Sequence, residues 1–245
     1  MPCKVAAIIT AAGSSTRMGG IKKEYCVLKD YAGVPAAGTE ALTVLGACVT
    51  AFASCAEISA IVITVPANAE QGEWAARKAL PPSLLGGASS GARTPVFFVP
   101  GGGSRRLSVH HALSFLQTDP PDYVLIHDGA RPWVSPDLIK KVMEAALEAG
   151  AVIPVLPLLE TPKELDGKGF VVRHLKRAAC VGAQTPQGFR FADILAAHEK
   201  AAALELEDAS AEWTDDAEIW GAFTGPVAVV TGEKQNRKIT FPEDL

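Results

Sequence analysis

The sequence predicts an α/β domain: a mostly parallel, mixed sheet covered by helices on both faces. Three observations predict it. Short β-branched runs (Val5–Ile9, Ile58–Val65, Pro95–Val99, Tyr123–His127, Ala151–Leu156 and Val227–Thr231) are mostly unbroken apolar stretches, as expected of strands buried on both sides. Segments of helical period separate them, and that alternation calls for right-handed crossovers. No linker and no internal repeat interrupts the 245 residues, so 1–245 reads as one domain, a length that α/β folds often spend on a single core.

The elements follow in order. After the first strand comes a loop of small residues, Thr10–Gly20. Leu42, Leu45, Val49 and Phe52 then repeat at 3-4-3 spacing, a helix stripe on which Cys48 and Cys55 share a face. Gly101–Gly103 turns into a helix that carries Arg105 and Arg106 in its first turn and His110 and His111 further along. Ser135-Pro136-Asp137 combines an N-cap with a proline at the first helical position, and Gly150 stops the helix Asp137–Ala149. Thr214-Asp215-Asp216 reads as the cap of a later helix. Asp30–Gly38 and Pro81–Thr94, rich in small and turn-forming residues, read as surface loops. Glu160–Val181 mixes the turn signal Asp166-Gly167 with a β-like Phe170-Val171-Val172, and it reads as an extended arm over about 160–181.

Composition narrows the function classes. A net charge of −4 excludes a generic nucleic-acid binder, which needs Lys and Arg to neutralise a polyanion, yet it leaves room for one basic pocket. The five cysteines are odd in number and show no C-x-x-C spacing, so neither a disulfide framework nor a zinc site is expected and a reducing cytoplasm is. The most apolar long window, Ala41–Val65, carries Glu57 and several hydroxyl residues and resolves into a helix and a strand rather than a membrane span. No basic-then-apolar leader opens the sequence.

Chemistry concentrates in a few segments. The loop Thr10-Ala11-Ala12-Gly13-Ser14-Ser15-Thr16-Arg17-Met18-Gly19-Gly20 lets backbone N–H groups approach phosphates. It is neither the dinucleotide fingerprint nor a Walker loop, and what marks it is the cationic pair Arg17 and Lys23. Solvated charges on a plain turn are the competing reading. His127-Asp128-Gly129-Ala130-Arg131-Pro132 ends a buried strand, where Asp128 suits a metal ion or a ribose hydroxyl, or else caps the turn and pairs with Arg131. His127, inside the apolar run, reads as structural. Arginines at a helix N-terminus are unfavourable unless an anion is there too, so Arg105 and Arg106 point to one, with surface solvation as the alternative.

In order, Ala11-Ala12-Gly13…Arg17-Met18-Gly19, His127–Pro132, Thr185-Pro186-Gln187 and Lys238-Ile239-Thr240…Pro242-Glu243-Asp244-Leu245 resemble the 2-C-methyl-D-erythritol 4-phosphate cytidylyltransferase family over nearly the whole chain. The resemblance implies a Rossmann-like nucleotidyltransferase fold, CTP and a sugar-alcohol phosphate as substrates, a divalent cation such as Mg²⁺, and a homodimer joined through an extended β-arm. By position, Ala11, Ala12 and Gly13 would contact the nucleotide through the backbone, and Arg17 and Lys23 would stabilise the pentacoordinate phosphorus. Gly102 and Ser108 would line the cytidine pocket. Asp128, Arg131, Thr161 and Thr185 would bind near the sugar phosphate, with Arg177 and Lys238 positioning it. Asp128 is the one candidate for a metal, and then indirectly. Lys23 is preferred to Lys22 because Glu24 stands where the family carries Gln after its lysine. The sequence also departs from the family at Glu160, Pro162 and Gly129, in a longer Asp30–Gly38 loop, and in stopping at Leu245, before the family's final helix.

The acceptor stays open between 2-C-methyl-D-erythritol 4-phosphate and ribitol 5-phosphate, whose cytidylyltransferases share these motifs. A non-catalytic nucleotide-binding protein is the reading from another class. A nicotinamide dehydrogenase ranks below both, because its glycine fingerprint is missing.

Overall fold

A computed structural model describes residues 3–15, 18–28, 42–85, 94–208 and 211–245. Arg17, the expected loop Asp30–Gly38 and residues 86–93 of the second loop lie outside the described residues.

Six strands match the predicted runs to within a residue or two: β1 (Val5–Thr10), β2 (Ile58–Val65), β3 (Val96–Pro100), β4 (Tyr123–Asp128), β5 (Ala151–Pro157) and, near the end, β10 (Ala228–Thr231). The arm region contributes β6 (Lys163–Leu165), β7 (Val171–His174) and β8 (Val181–Ala183), followed by β9 (Gln187–Arg190). The main sheet runs β10-β5-β9-β4-β1-β2-β3, with β8 added to β5. β3, β2, β1 and β4 are mutually parallel, as are β5 and β10, and β9 lies antiparallel between β4 and β5. That antiparallel insertion makes the otherwise parallel sheet mixed at its middle. It admits α4 closely: a Cβ at Gly188 would meet Ala146, Leu125 and Val142 at 3.0–3.1 Å.

Among the described residues six helices cover the sheet: α1 (Val44–Ala53), α2 (Ala69–Lys78), α3 (Arg105–Leu116), α4 (Pro136–Ala149), α5 (Phe191–Glu207) and α6 (Asp216–Phe223). Ser135 caps α4 by accepting from Leu138 N at 3.0 Å, and Gly150 ends it at φ 81°. One core layer packs α1 and α4 on the sheet through Leu45, Phe52, Ile139 and Val142. The opposite layer packs α3, α5 and α6 through Leu113, Ile194 and Trp220. Cys55 lies past the end of α1 rather than on it, though it is buried in the same layer as Cys48. Among the described residues no helix is long and apolar enough to cross a membrane.

β6 and β7 form a separate hairpin that leaves the domain body, as the arm expectation had it. Leu165, Phe170 and Val172 on it are 58–69% exposed.

Candidate active site

The chain order reverses about β1 and β4, whose C-terminal ends pair Thr10 with Asp128. Open α/β sheets bind ligands at such a switch point, beyond the strand ends. A cleft of about 550 Å³ opens there, and its walls include Gly13, Lys23, Gly102, Arg105, Asp128 and Lys238.

Two loops make the floor. Ala12 and Gly13 line it after β1. Ala11 is fully buried and not part of that lining, and its N–H is committed to Thr64 O and Oγ1 at 3.1 and 3.3 Å. From the other side, Gly101 lets the turn before α3 touch the first loop, since a Cβ there would run into the Ala12 methyl. Ser108 fixes that turn. Its hydroxyl donates to Ser104 O at 2.9 Å and accepts from Gly102 N at 3.0 Å, while it also faces the cleft beside Gly102.

The two adjacent lysines divide. Lys22 Nζ turns back onto the carbonyls of Ala12 and Gly13, and burial lowers its pKa against the pull of Glu24. Lys23 lines the cleft and donates to Ile239 O at 2.7 Å, tying the short 3-10 turn Lys23–Tyr25 to the C-terminal segment. Glu24 forms part of the same wall; desolvation raises its pKa, opposed by Lys23 and Lys22 and by Ser15, whose hydroxyl donates to it at 3.4 Å.

The C-terminal segment reaches the cleft because Ile239 anchors it. That side chain is fully buried against Leu28, Val44 and Ala47, and its N–H donates to Ala130 O at 2.8 Å. Lys238 is thereby set beside Asp128, with Nζ 2.8 Å from Oδ2. Arg105 Nε stands 3.4 Å from Oδ1 and Arg131 Nε 3.5 Å from Oδ2. Burial opposes the Asp128 charge, but Lys238, Arg105 and Arg131 outweigh it and hold the carboxyl well below the usual carboxylate range.

Behind Asp128 the pattern is structural. Burial pushes the His127 pKa down to about 4, so the ring is neutral near pH 7. Its Nε2 lies 3.2 Å from Arg131 O, which can only accept, so Nε2 carries the proton. Nδ1 then accepts from the Thr185 hydroxyl at 3.0 Å, and Thr185 Oγ1 in turn accepts from Asp128 N at 3.1 Å. Thr185 thereby ties the strand end to His127, and it is not among the residues that line the cleft.

Other expected residues also lie away from it. Arg131 donates to Asn236 O at 2.9 Å and borders a separate depression at the base of the arm with Glu160, Pro162 and Gln184. Thr161 and Arg177 are exposed on the arm, with Arg177 Nη1 donating to Leu159 O at 2.8 Å, and neither reaches the cleft of its own chain. Lys23 and Lys238 thus come together, Arg177 does not join them, and Arg17 lies outside the described residues.

Neither arginine of α3 is surface-solvated. Arg105 Nη2 forms a 2.8 Å ion pair with Asp216, and Arg106 is buried with Nη2 2.6 Å from Glu205. From the sequence Arg105 pointed to an anion, which here is a pair of protein carboxylates, while Asp216 read only as part of a helix cap and Asn236 carried no local signal. Asn236 is fully buried and donates to Thr185 O at 2.7 Å, locking the segment before Lys238 onto the strand ends.

A divalent cation does not fit this donor set as a protein-held ion. Both Asp128 oxygens already face cations, and among the described residues no three His, Cys, Asp or Glu side chains gather as ligands.

Residues 5–245 match the family model described as IspD, 2-C-methyl-D-erythritol 4-phosphate cytidylyltransferase. The chain is 37% identical to a bifunctional enzyme IspD/IspF of Rhodopseudomonas palustris strain BisB18, covering 99% of this chain and 54% of that protein. A bifunctional IspD/IspF of Rhodospirillum rubrum is likewise 37% identical, with 99% and 55% covered. The chain therefore spans about half the length of these curated relatives, and for the Nitrobacter hamburgensis relative, 45% identical over 59% of this chain, the match covers 35% of that protein. Among solved structures, 4-diphosphocytidyl-2C-methyl-D-erythritol synthase of Anaerococcus prevotii superposes with TM-score 0.74 at 28% identity, covering 99% of this chain and 92% of that one. The Francisella tularensis 2-C-methyl-D-erythritol 4-phosphate cytidylyltransferase gives 0.72 at 27%, covering 99% and 96%.

Proposed function

Because the chain belongs to the 2-C-methyl-D-erythritol 4-phosphate cytidylyltransferase family, we propose that it transfers a cytidylyl group from CTP to 2-C-methyl-D-erythritol 4-phosphate in isoprenoid precursor biosynthesis. The observation that carries the reading is the pairing of Lys23 and Lys238, from opposite ends of the sequence, in one cleft at the sheet's switch point.

The acceptor's phosphate is the nucleophile. With a second pKa near 6 it is already anionic at neutral pH, so no general base is required. One of its oxygens attacks the α-phosphorus of CTP; that P–O bond forms as the bond to the β-phosphate breaks, and pyrophosphate carries away the electron pair. Repulsion between two anions is the obstacle, and fixed cations that need no rearrangement are the remedy. Lys23 would stabilise charge on the α-phosphoryl group, a role the family resemblance also gives to Arg17, and Lys238 would hold the acceptor phosphate. Gly102, Ser108, Ala12 and Gly13 would receive the nucleotide. The reading takes Mg²⁺ to enter with CTP on phosphate oxygens and water, since Asp128 is occupied by cations.

The arm suits a homodimer. Its exposed apolar hairpin is costly to leave in water, and Thr161 and Arg177, which flank the hairpin, stand outside the cleft of their own chain; a second copy would bury the first and receive the second. The cytoplasm is the compartment we assign, from the free thiols and the pathway.

A screen of CTP, UTP, ATP and GTP against 2-C-methyl-D-erythritol 4-phosphate and ribitol 5-phosphate, read as pyrophosphate release, tests the proposal. Turnover confined to CTP with the methylerythritol phosphate is expected. Preference for ribitol 5-phosphate would reassign the acceptor, and nucleotide binding without any release would make the chain a non-catalytic binder.

A further inference from the structure

Behind the cleft stands a buried carboxylate to which the reaction above assigns nothing. Asp216 opens α6 and its side chain is wholly inaccessible, a setting in which an ionised carboxylate persists only when paired. Desolvation opposes its charge, yet Arg105 and His198 keep its pKa low. Three restraints fix it. Asp215 caps the helix, accepting from Glu218 N at 2.9 Å. Gln187 on β9 donates to Asp215 at 2.8 Å and accepts from Ala217 N at 3.1 Å. On the far side His198 Nε2 stands 3.2 Å from Asp216 Oδ1.

The distances around Arg105 are unequal in an informative way. Its short contact, 2.8 Å from Nη2, is an ion pair with Asp216 Oδ2, while its Nε reaches Asp128 Oδ1 only at 3.4 Å. A guanidinium prefers to meet one carboxylate with two parallel N–H groups. Here the fork is divided between two carboxylates, and the tighter half points away from the cleft. Asp128 is left to hold Lys238 at 2.8 Å. Were Arg105 to close on Asp128 with both edges, it would compete for the oxygen that Lys238 uses. Lys238, 37% exposed on a long stem, would be the easier cation to displace.

We propose that Asp216 is a positioning residue that draws Arg105 off Asp128, so that Asp128 keeps Lys238 aimed into the cleft. The inference rests on the reading of Lys238 as a substrate-positioning cation. It predicts a specific sign of coupling: removing the Asp216 charge harms the site through Arg105, so removing Arg105 as well relieves the harm.

The test combines Asp216→Asn, Arg105→Gln and the double variant, with two readouts: steady-state pyrophosphate release, and the rate at which an N-hydroxysuccinimide ester acylates Lys238, followed by peptide mass spectrometry. Asp216→Asn is expected to lower kcat about tenfold or more and to raise Lys238 labelling several-fold, whereas in the double variant both return to the level of Arg105→Gln alone. The neutral Gln–Asn pair also leaves no unpaired buried charge, which keeps a folded protein in hand if Asp216→Asn is unstable. A double variant worse than Asp216→Asn, or unaltered Lys238 labelling in Asp216→Asn, overturns the inference. If the wild-type protein releases no pyrophosphate with any acceptor, the reaction is misassigned, and the labelling still decides this proposal.

Discussion

His127 gives a residue-scale prediction that does not depend on turnover. Burial holds its folded-state pKa at about 4, below the ordinary 6.5. Between those values the unfolded chain binds the proton and the folded chain does not, so stability present above pH 6.5 is lost as pH falls towards 4. The full difference is on the order of 3 kcal/mol. Asp128 and Asp216, both held low, add a further loss only below the usual carboxylate range. Thermal unfolding followed from pH 7 to pH 4 should therefore show a falling Tm, and His127→Asn should flatten that slope while lowering Tm at pH 7. An equal slope in the variant would mean that another group takes up the proton. The position of His127 in an apolar run already read as structural, but its locked tautomer needed Arg131 O and Thr185 Oγ1, which only the fold brings to the ring.

At the scale of elements, the strands that form the site were legible because β1, β2 and β4 are long and apolar enough to signal themselves. β9 was not: Gln187–Arg190 is four residues long and shows no alternation, and its position is set by pairing with β4 and β5 and by the room Gly188 leaves for α4. The cap at Asp215 was readable as a local pattern, whereas the partner of Asp216 was not, because Arg105 is brought to it by the packing of α3 and α5–α6 on one sheet face. The hydrogen bonds that hold Ala11 and Thr185 were illegible for a related reason. A motif names residues in sequence, but not that the Ala11 N–H is donated to Thr64 or the Thr185 hydroxyl to His127. The arm carries the element-scale prediction. Leu165→Asp with Val172→Asp, on the exposed hairpin, should convert a dimer to monomers in sedimentation equilibrium and cut turnover, with the domain's Tm little changed. Unchanged mass in that variant would detach the hairpin from assembly, and a monomeric wild type would do the same.

For the whole molecule, the fold acts as a device for bringing distant charge together. The sheet's reversal at β1 and β4 sets Asp128 at the cleft, and burial of Ile239 carries the end of the chain back across it. Lys23 donates to the backbone of that returning segment, so the two lysines are linked through Ile239. The order of motifs announced this convergence without its cause, since nothing local in Lys238-Ile239-Thr240 says that Ile239 is a core residue. Catalysis by preorganised charge should fail when either charge is removed and the shape is kept. Pyrophosphate release by Lys23→Met and Lys238→Met, each confirmed as folded by its thermal transition, is the most direct measurement. The account predicts a loss of about 10²–10³ in kcat/KM for each variant, and near-wild-type turnover in either folded variant would contradict it.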